Sequence, residues 1–386
     1  MVEKGLLLNS LYACVLAIGI AFGTTPLVKI FAHKIGAMDI PKDNRRMHKV
    51  PIPRAGGLAI FLGFMVSYLI FGTINSNIRA ILIGSVLIVL LGVLDDVKNL
   101  RPLVKMAGQI VAALVPVLAG VRVQSLTNPF SQSGYLHLGV WGIPLTVLWI
   151  VGITNAVNFI DGLDGLACGV STIGILTMYT ISVLLAEVDV VVAMAALAGA
   201  CIGFLPYNLN PAKIFMGDTG SMLLGYLLAA FSVQGLFKFY AVISFAVPFL
   251  MLGLPIFDTT FAIVRRLAHG QSPMHADRGH VHHRLIDMGF DTKQSVAILY
   301  ALSAVLGLSA VVVATSGESK VIILAIAVLL CFFMGMTITL HEKRSAAAAQ
   351  QQAAADAAKA PPETPAAEKP AVPETPAAPE KEERHE

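Results

Sequence analysis

Apolar stretches of the length a bilayer demands recur along this chain from Leu6 to Leu340. A helix needs roughly 20 consecutive apolar residues to cross about 30 Å of hydrocarbon, since each residue rises only about 1.5 Å. Windows of that kind lie near residues 5–31, 56–73, 79–97, 103–120, 140–158, 165–185, 190–205, 219–236, 239–261, 295–314 and 320–340. The spacing predicts an all-α, polytopic membrane protein with about eleven transmembrane helices. With 56% hydrophobic and 13% charged residues, the chain has too little polar surface to close as a soluble globule. The first window is a spanning helix rather than a signal peptide, because its apolar run is long, no small-residue cleavage site follows, and Lys29 and Lys34 close it.

Eleven crossings place the termini on opposite sides, and Lys/Arg placement decides which is which. The joins at 32–55, 95–105, 158–164, 206–218 and 262–294, with the tail from 341, hold 21 of the 27 Lys/Arg residues. This set is read as cytoplasmic, with the N-terminus outside and the C-terminus inside. From Ser345 the composition turns to Ala, Pro, Glu and Lys, with near-repeats at 362–367 and 373–378. The division expected is a membrane domain over 1–344 and a disordered cytoplasmic tail over 345–386. The four cysteines sit in apolar stretches without paired or metal-type spacing and read as small buried hydrophobes. A net charge of +3 is too small to recruit nucleic acid.

Carboxylates gather on the same side as the basic residues, which the topology rule for cations does not explain. Asp95 and Asp96 end the third window, where two like charges meet the negative end of a helix dipole. Either Lys98 and Arg101 neutralise a solvated helix end, or a bound cation or a substrate-clamping cationic residue compensates the pair. In the segment Asn155–Ala167, Asp161 and Asp164 stand three apart around two glycines, beside Asn158. One aspartate would serve as a helix cap; two with adjacent amides exceed that need. An EF-hand is excluded because no Glu follows at the required position. The CDP-alcohol phosphotransferase pattern fails at Cys168 and Gly169.

The segment Tyr207–Ser221 brings Asp218, hydroxyls and backbone N–H groups to the start of the eighth window, a natural place for a phosphate and its metal. Phe215 and Asn208 have the chemistry to stack on and hydrogen-bond a nucleotide base. In Met274–Leu285, read as a polar inner loop rather than a packed helix, His280, His282 and His283 with Arg284 lack the further Cys or His that a tetrahedral zinc site needs, and fit the gripping of phosphate better.

Over about residues 10–340 these motifs resemble the polyprenyl-phosphate N-acetylhexosamine-1-phosphate transferases of glycosyltransferase family 4. The AspAsp pair, AsnPheIleAspGlyLeuAspGlyLeuAla, PheMetGlyAspThrGlySer and HisValHisHis stand in that family's order. ProArgAlaGlyGly at 53–57 and HisValHisHisArg at 280–284 are similar to its TagO/WecA-like branch rather than to the branch that handles UDP-MurNAc-pentapeptide. The resemblance implies transfer of GlcNAc-1-phosphate from UDP-GlcNAc to undecaprenyl phosphate, with Mg²⁺ (Mn²⁺ as the alternative ion), feeding a cell-envelope polymer such as teichoic acid. It further implies Asp218 as metal ligand and Asp95 and Asp96 facing the lipid phosphate and metal. Asn158, Asp161, Asp164, Asn208 and Phe215 would hold the uridine, with His280, His282, His283 and Arg284 toward diphosphate or sugar. Another UDP-HexNAc, UDP-MurNAc-pentapeptide, or a sugar-nucleotide or lipid transporter are the alternatives, and a homodimer is the candidate assembly. A transporter fits poorly, since it would place charges near mid-bilayer and on both faces.

Overall fold

The structure is a computed structural model that describes residues 4–40, 50–127, 135–236, 243–268, 270 and 280–315. All of them belong to one compact unit, Met1–Gly335; a second unit, Met336–Glu386, lies outside the described residues.

The helices are α1 (Lys4–Ile35), α2 (Gly57–Phe71), α3 (Ser76–Lys98), α4 (Pro102–Ala119), α5 (Gly142–Phe159), α6 (Leu166–Leu184), α7 (Val188–Asn208), α8 (Gly217–Gly235), α9 (Ile243–Met251), α10 (Gly253–Ala268), α11 (Val281–Asp287) and α12 (Thr292–Thr315). Two short antiparallel hairpins supplement them: β1 (Met38–Asp39) with β2 (Ile52–Pro53), and β3 (Ser125–Thr127) with β4 (Tyr135–His137). Among the described residues seven helices are long and apolar enough to cross a bilayer, and the chain is a multi-pass membrane protein. Leu27, Leu118, Leu148 and Leu308 are each about two-thirds exposed, as side chains facing lipid should be.

The first eight apolar windows correspond to α1 through α8, and the tenth to α12. The ninth does not form one helix: it is divided into α9 and α10 around Leu252. Pro255 has no N–H to give Met251, and its ring crowds that carbonyl, so the helix breaks where sequence hydropathy runs on unbroken. The eleventh window and the tail fall outside the described residues.

Helix α8 is buried from Thr219 to Gly235 and forms the axis of the bundle, packed against α3 and α5. Around it, α7 packs against α1, α2 and α6, and α12 lies on α6 and α9. At one end of the bundle Asp189 accepts from Thr73 Oγ1 (2.9 Å) and Asn75 Nδ2 (2.6 Å), joining the end of α2 and the starts of α3 and α7. The opposite end carries the polar motifs, in an alternation set by successive crossings. There the β1–β2 hairpin is strapped to the approach to α8. Phe215 N donates to Pro53 O (2.9 Å), Gly56 N to Phe215 O (3.0 Å) and Gly57 N to Met216 O (2.9 Å). Gly57 is required because a Cβ there would overlap the backbone of Gly220.

Candidate active site

A cavity of about 720 Å³ opens among the polar loops, within the range of small-molecule sites. Its wall includes Asn158, Asp161 and Asp164 from the α5–α6 turn, and Asn208, Phe215 and Asp218 from the α7–α8 approach. His283 lines it as well.

Asp218 stands in the first turn of α8, where the helix dipole favours a carboxylate. Its Oδ1 accepts from Asn158 Nδ2 at 2.5 Å and from Lys105 Nζ at 3.0 Å. Asn158 Nδ2 also reaches Ser221 Oγ at 2.8 Å, so one amide is fixed by two groups of α8. Lys105 Nζ lies 2.5 Å from Asp95 Oδ2 and so bridges α3 and α8 from the start of α4. Asp95 Oδ1 accepts from Leu100 N (2.7 Å), at the end of its own helix. Lys98 and Arg101 are exposed and Asp95 is buried, so the solvated-end reading of the acidic pair is corrected: Lys105 supplies the compensating charge.

Asp96 is 2% exposed, and its oxygens accept from Asp218 N (2.9 Å), Thr219 N (3.1 Å) and Thr219 Oγ1 (2.6 Å). The start of α8, expected from sequence to offer its N–H groups to a phosphate, is therefore capped by a carboxylate of α3. Desolvation first, then the charges of Asp218, Asp96 and Asp164, push Asp161 up to about 8. Asp164 Oδ2 accepts from Asn210 Nδ2 (2.9 Å) and Ala212 N (3.0 Å), so it shapes the cavity rim. Asn208 donates to Ile214 O (3.2 Å), and its Oδ1 is buried without a hydrogen-bond partner.

The histidine segment is held by a residue the motifs did not single out. Asp258 of α10 accepts from Val281 N (2.8 Å) and lies 2.8 Å from His280 Nδ1. His282 is 3% exposed and packs on Gly162, where a Cβ would meet its Nε2. Desolvation, reinforced by His283, pushes His282 down to about 3, so it is neutral. A loop position free of packing was expected for His282; it is instead a core contact between α11 and the aspartate turn. Arg284 is buried with its guanidinium 4.9 Å from the Phe261 ring centroid, and neither it, His280 nor His282 is among the cavity-lining residues. Lys105 was missed because its charge beside an apolar window was counted as topology, and Asp258 because it stands in no motif; an ionisable residue inside or beside such a window is itself a signal. Among the described residues no cluster of three or more His, Cys, Asp or Glu forms a ready-made metal cage.

Residues 78–236 match the profile described as Glycosyl transferase family 4. A protein of Bacillus subtilis (strain 168) named as a probable undecaprenyl-phosphate N-acetylglucosaminyl 1-phosphate transferase is 41% identical over 322 residues, which cover 83% of this chain and 89% of that one. The decaprenyl-phosphate N-acetylglucosaminephosphotransferase of Mycolicibacterium smegmatis is 38% identical over 73% of this chain and 76% of its own. A phospho-N-acetylmuramoyl-pentapeptide-transferase of Clostridium beijerinckii is 31% identical over 78% of this chain and 96% of its own. The matched region contains Asp95, Asp96, Lys105, Asn158, Asp161 and Asp218, the residues that meet at one end of α8, and the chain belongs to glycosyl transferase family 4.

Proposed function

We propose that the chain transfers N-acetylglucosamine-1-phosphate from UDP-GlcNAc to undecaprenyl phosphate at the cytoplasmic face of the membrane, giving undecaprenyl-diphospho-GlcNAc and UMP. The observation that carries this reading is the convergence of Asp218, Asn158 and Lys105 beside a nucleotide-sized cavity at one end of a membrane bundle, in a chain whose relatives bear transferase names. The Lys/Arg excess in the joins at that end supports its cytoplasmic orientation.

A lipid phosphate monoester has its second pKa near 6, so at neutral pH it is largely a dianion and needs no general base. In the proposed step an acceptor oxygen attacks the β-phosphorus of UDP-GlcNAc. The bond from that phosphorus to the bridging oxygen breaks, and the electron pair leaves with UMP. No covalent phospho-aspartate is required, and the engagement of Asp96 with α8 and of Asp95 with Lys105 argues against one. Asn158 orients Asp218, Phe215 and Asn208 hold the base, and Lys105 supplies positive charge beside the reacting phosphates.

The donor set fits Mg²⁺: oxygen ligands only, with Asp218 on the cavity wall and Asp161 nearby, as suits an ion held by one or two carboxylates plus substrate phosphates. Bound there, Mg²⁺ would supply a Lewis acid that stabilises charge on departing UMP.

Purified protein given radiolabelled UDP-GlcNAc and undecaprenyl phosphate should form a butanol-extractable product and UMP in equal amounts. Labelled UDP-GalNAc and UDP-MurNAc-pentapeptide should react poorly. Transfer from UDP-MurNAc-pentapeptide alone would refute the donor, and release of free GlcNAc-1-phosphate without lipid product would refute the transfer.

A further inference from the structure

The segment ProArgAlaGlyGly at 53–57 has a physical role that the reaction scheme leaves unexplained. Its two glycines let the strap close on Phe215 and Gly220, but Arg54 is not needed for that closure. Arg54 lines the cavity, and among the described lining residues it is the one lysine or arginine, against Asp39, Asp161, Asp164 and Asp218. A wall of that composition repels a phosphate unless a cation meets it.

The backbone around Arg54 is fixed on both sides. Arg54 N donates to Ala37 O (2.9 Å), and Gly56 and Gly57 donate to Phe215 and Met216. Between them Ala55 is fully buried with φ at 76°, a left-handed conformation that costs a non-glycine residue about 1–2 kcal/mol and persists only where its surroundings enforce it. The Arg54 side chain is 17% exposed, and its Nη2 donates to Asp39 Oδ1 at 3.1 Å. A guanidinium has five N–H donors in a planar fork suited to phosphate, and one bond to Asp39 leaves most of that capacity unused.

We propose that Arg54 binds a phosphate group of the substrates in this cavity, with Asp39 as the positioning residue that holds the guanidinium. The inference rests on the nucleotide-sugar reading above. The shared chemistry is a phosphoryl oxyanion, supplied either by the diphosphate of the donor or by the monophosphate of the lipid acceptor.

Calorimetric titration of the purified full chain with UDP and with uridine, at saturating Mg²⁺, tests it alongside the KM for undecaprenyl phosphate. Arg54→Gln should weaken UDP roughly tenfold or more, as expected for losing charge-assisted hydrogen bonds, while uridine stays within about twofold. Arg54→Lys, which keeps the charge and loses the fork, should fall between. A raised acceptor KM with unchanged UDP affinity would assign the same anion contact to the lipid phosphate. Equal weakening of uridine and UDP would make Arg54 a hairpin residue only and overturn the proposal, as would no change in UDP affinity or acceptor KM. If the wild-type protein binds neither uridine nor UDP, the nucleotide reading of the cavity fails, and the role of Arg54 fails with it.

Discussion

Asp218→Asn separates the chemistry of the site from its architecture. Asparagine is nearly the same size, and its carbonyl can still accept from Asn158. The change removes the charge of an ion pair with Lys105 whose two side chains are 20% and 21% exposed, a partly buried contact of about 1.5–3 kcal/mol. Against that loss, Asp218 repels Asp95, Asp96 and Asp161, and neutralising it relieves all three. Lys105 keeps Asp95 as a partner. The two effects offset, so the melting temperature in detergent should move by no more than about 3 °C. Turnover should fall by roughly 10² or more, about 2.7 kcal/mol of lost transition-state stabilisation, because the carboxylate charge that would hold Mg²⁺ is gone. The assay is transfer of labelled GlcNAc-1-phosphate to undecaprenyl phosphate across a Mg²⁺ titration, with circular dichroism melts on the same preparation. Near wild-type turnover at limiting Mg²⁺ would refute the reasoning and move the metal role to Asp95 or Asp161. A fall of more than about 10 °C in melting temperature would show the carboxylate to be structural.

Lys105→Met should abolish transfer and lower the melting temperature more than Asp218→Asn does, since it leaves Asp95, itself 3% exposed, without its cation; equal melting temperatures would count against the bridge. Gly57→Ala forces a methyl group into the Gly220 backbone and should cost about 3 kcal/mol or more, seen as loss of folded protein by fluorescence-detected size exclusion; normal yield and melting would refute that close approach. His282 has a folded-state pKa of about 3, below the roughly 6.5 of the unfolded chain, so between those values the unfolded state binds a proton that the native state does not. Its contribution is full above pH ~6.5 and is lost as pH falls toward ~3, by up to about 1.4 kcal/mol per unit; His282→Gln should flatten that part of the stability profile, and parallel profiles would refute the neutral buried ring.

Nine of the apolar windows were legible because the bilayer fixes helix length so tightly that composition alone reveals it. The break at Pro255 was not, since the residues on both sides are apolar and hydropathy does not register a missing N–H. Two acids at the C-terminal end of α3 were correctly singled out as unfavourable for an isolated helix. Their partners were invisible because Asp96 is satisfied by α8, and Asp95 by a lysine whose charge had already been assigned to topology. The same long-range pairing reversed the expectation for the GlyAspThrGlySer segment, whose leading N–H groups face Asp96. His282 was read as a loop residue because nothing local in HisValHisHis tells which ring turns inward onto Gly162. That Phe215, Asn208 and the residues of the aspartate turn would stand at one polar site could be anticipated locally, because each belongs to a short motif rather than to a distant contact, and all of them line the cavity.

The cap that Asp96 places on α8 also bears on how such a chain is made. Asp96 and the Asp218 amide it accepts from are 122 positions apart, so at about 5–20 residues per second the ribosome supplies the second roughly 6–24 s after the first. Throughout that interval α3 is already synthesised, with a carboxylate at its end and no α8 to receive it. A carboxylate at that helix end, once buried, is tolerated only while water or a proton serves it. The arrival of α8 replaces that solvent with two amides and a hydroxyl, so the last central helix to be synthesised also seals the interior against water, and a nascent chain halted before residue 218 should remain hydrated at that end.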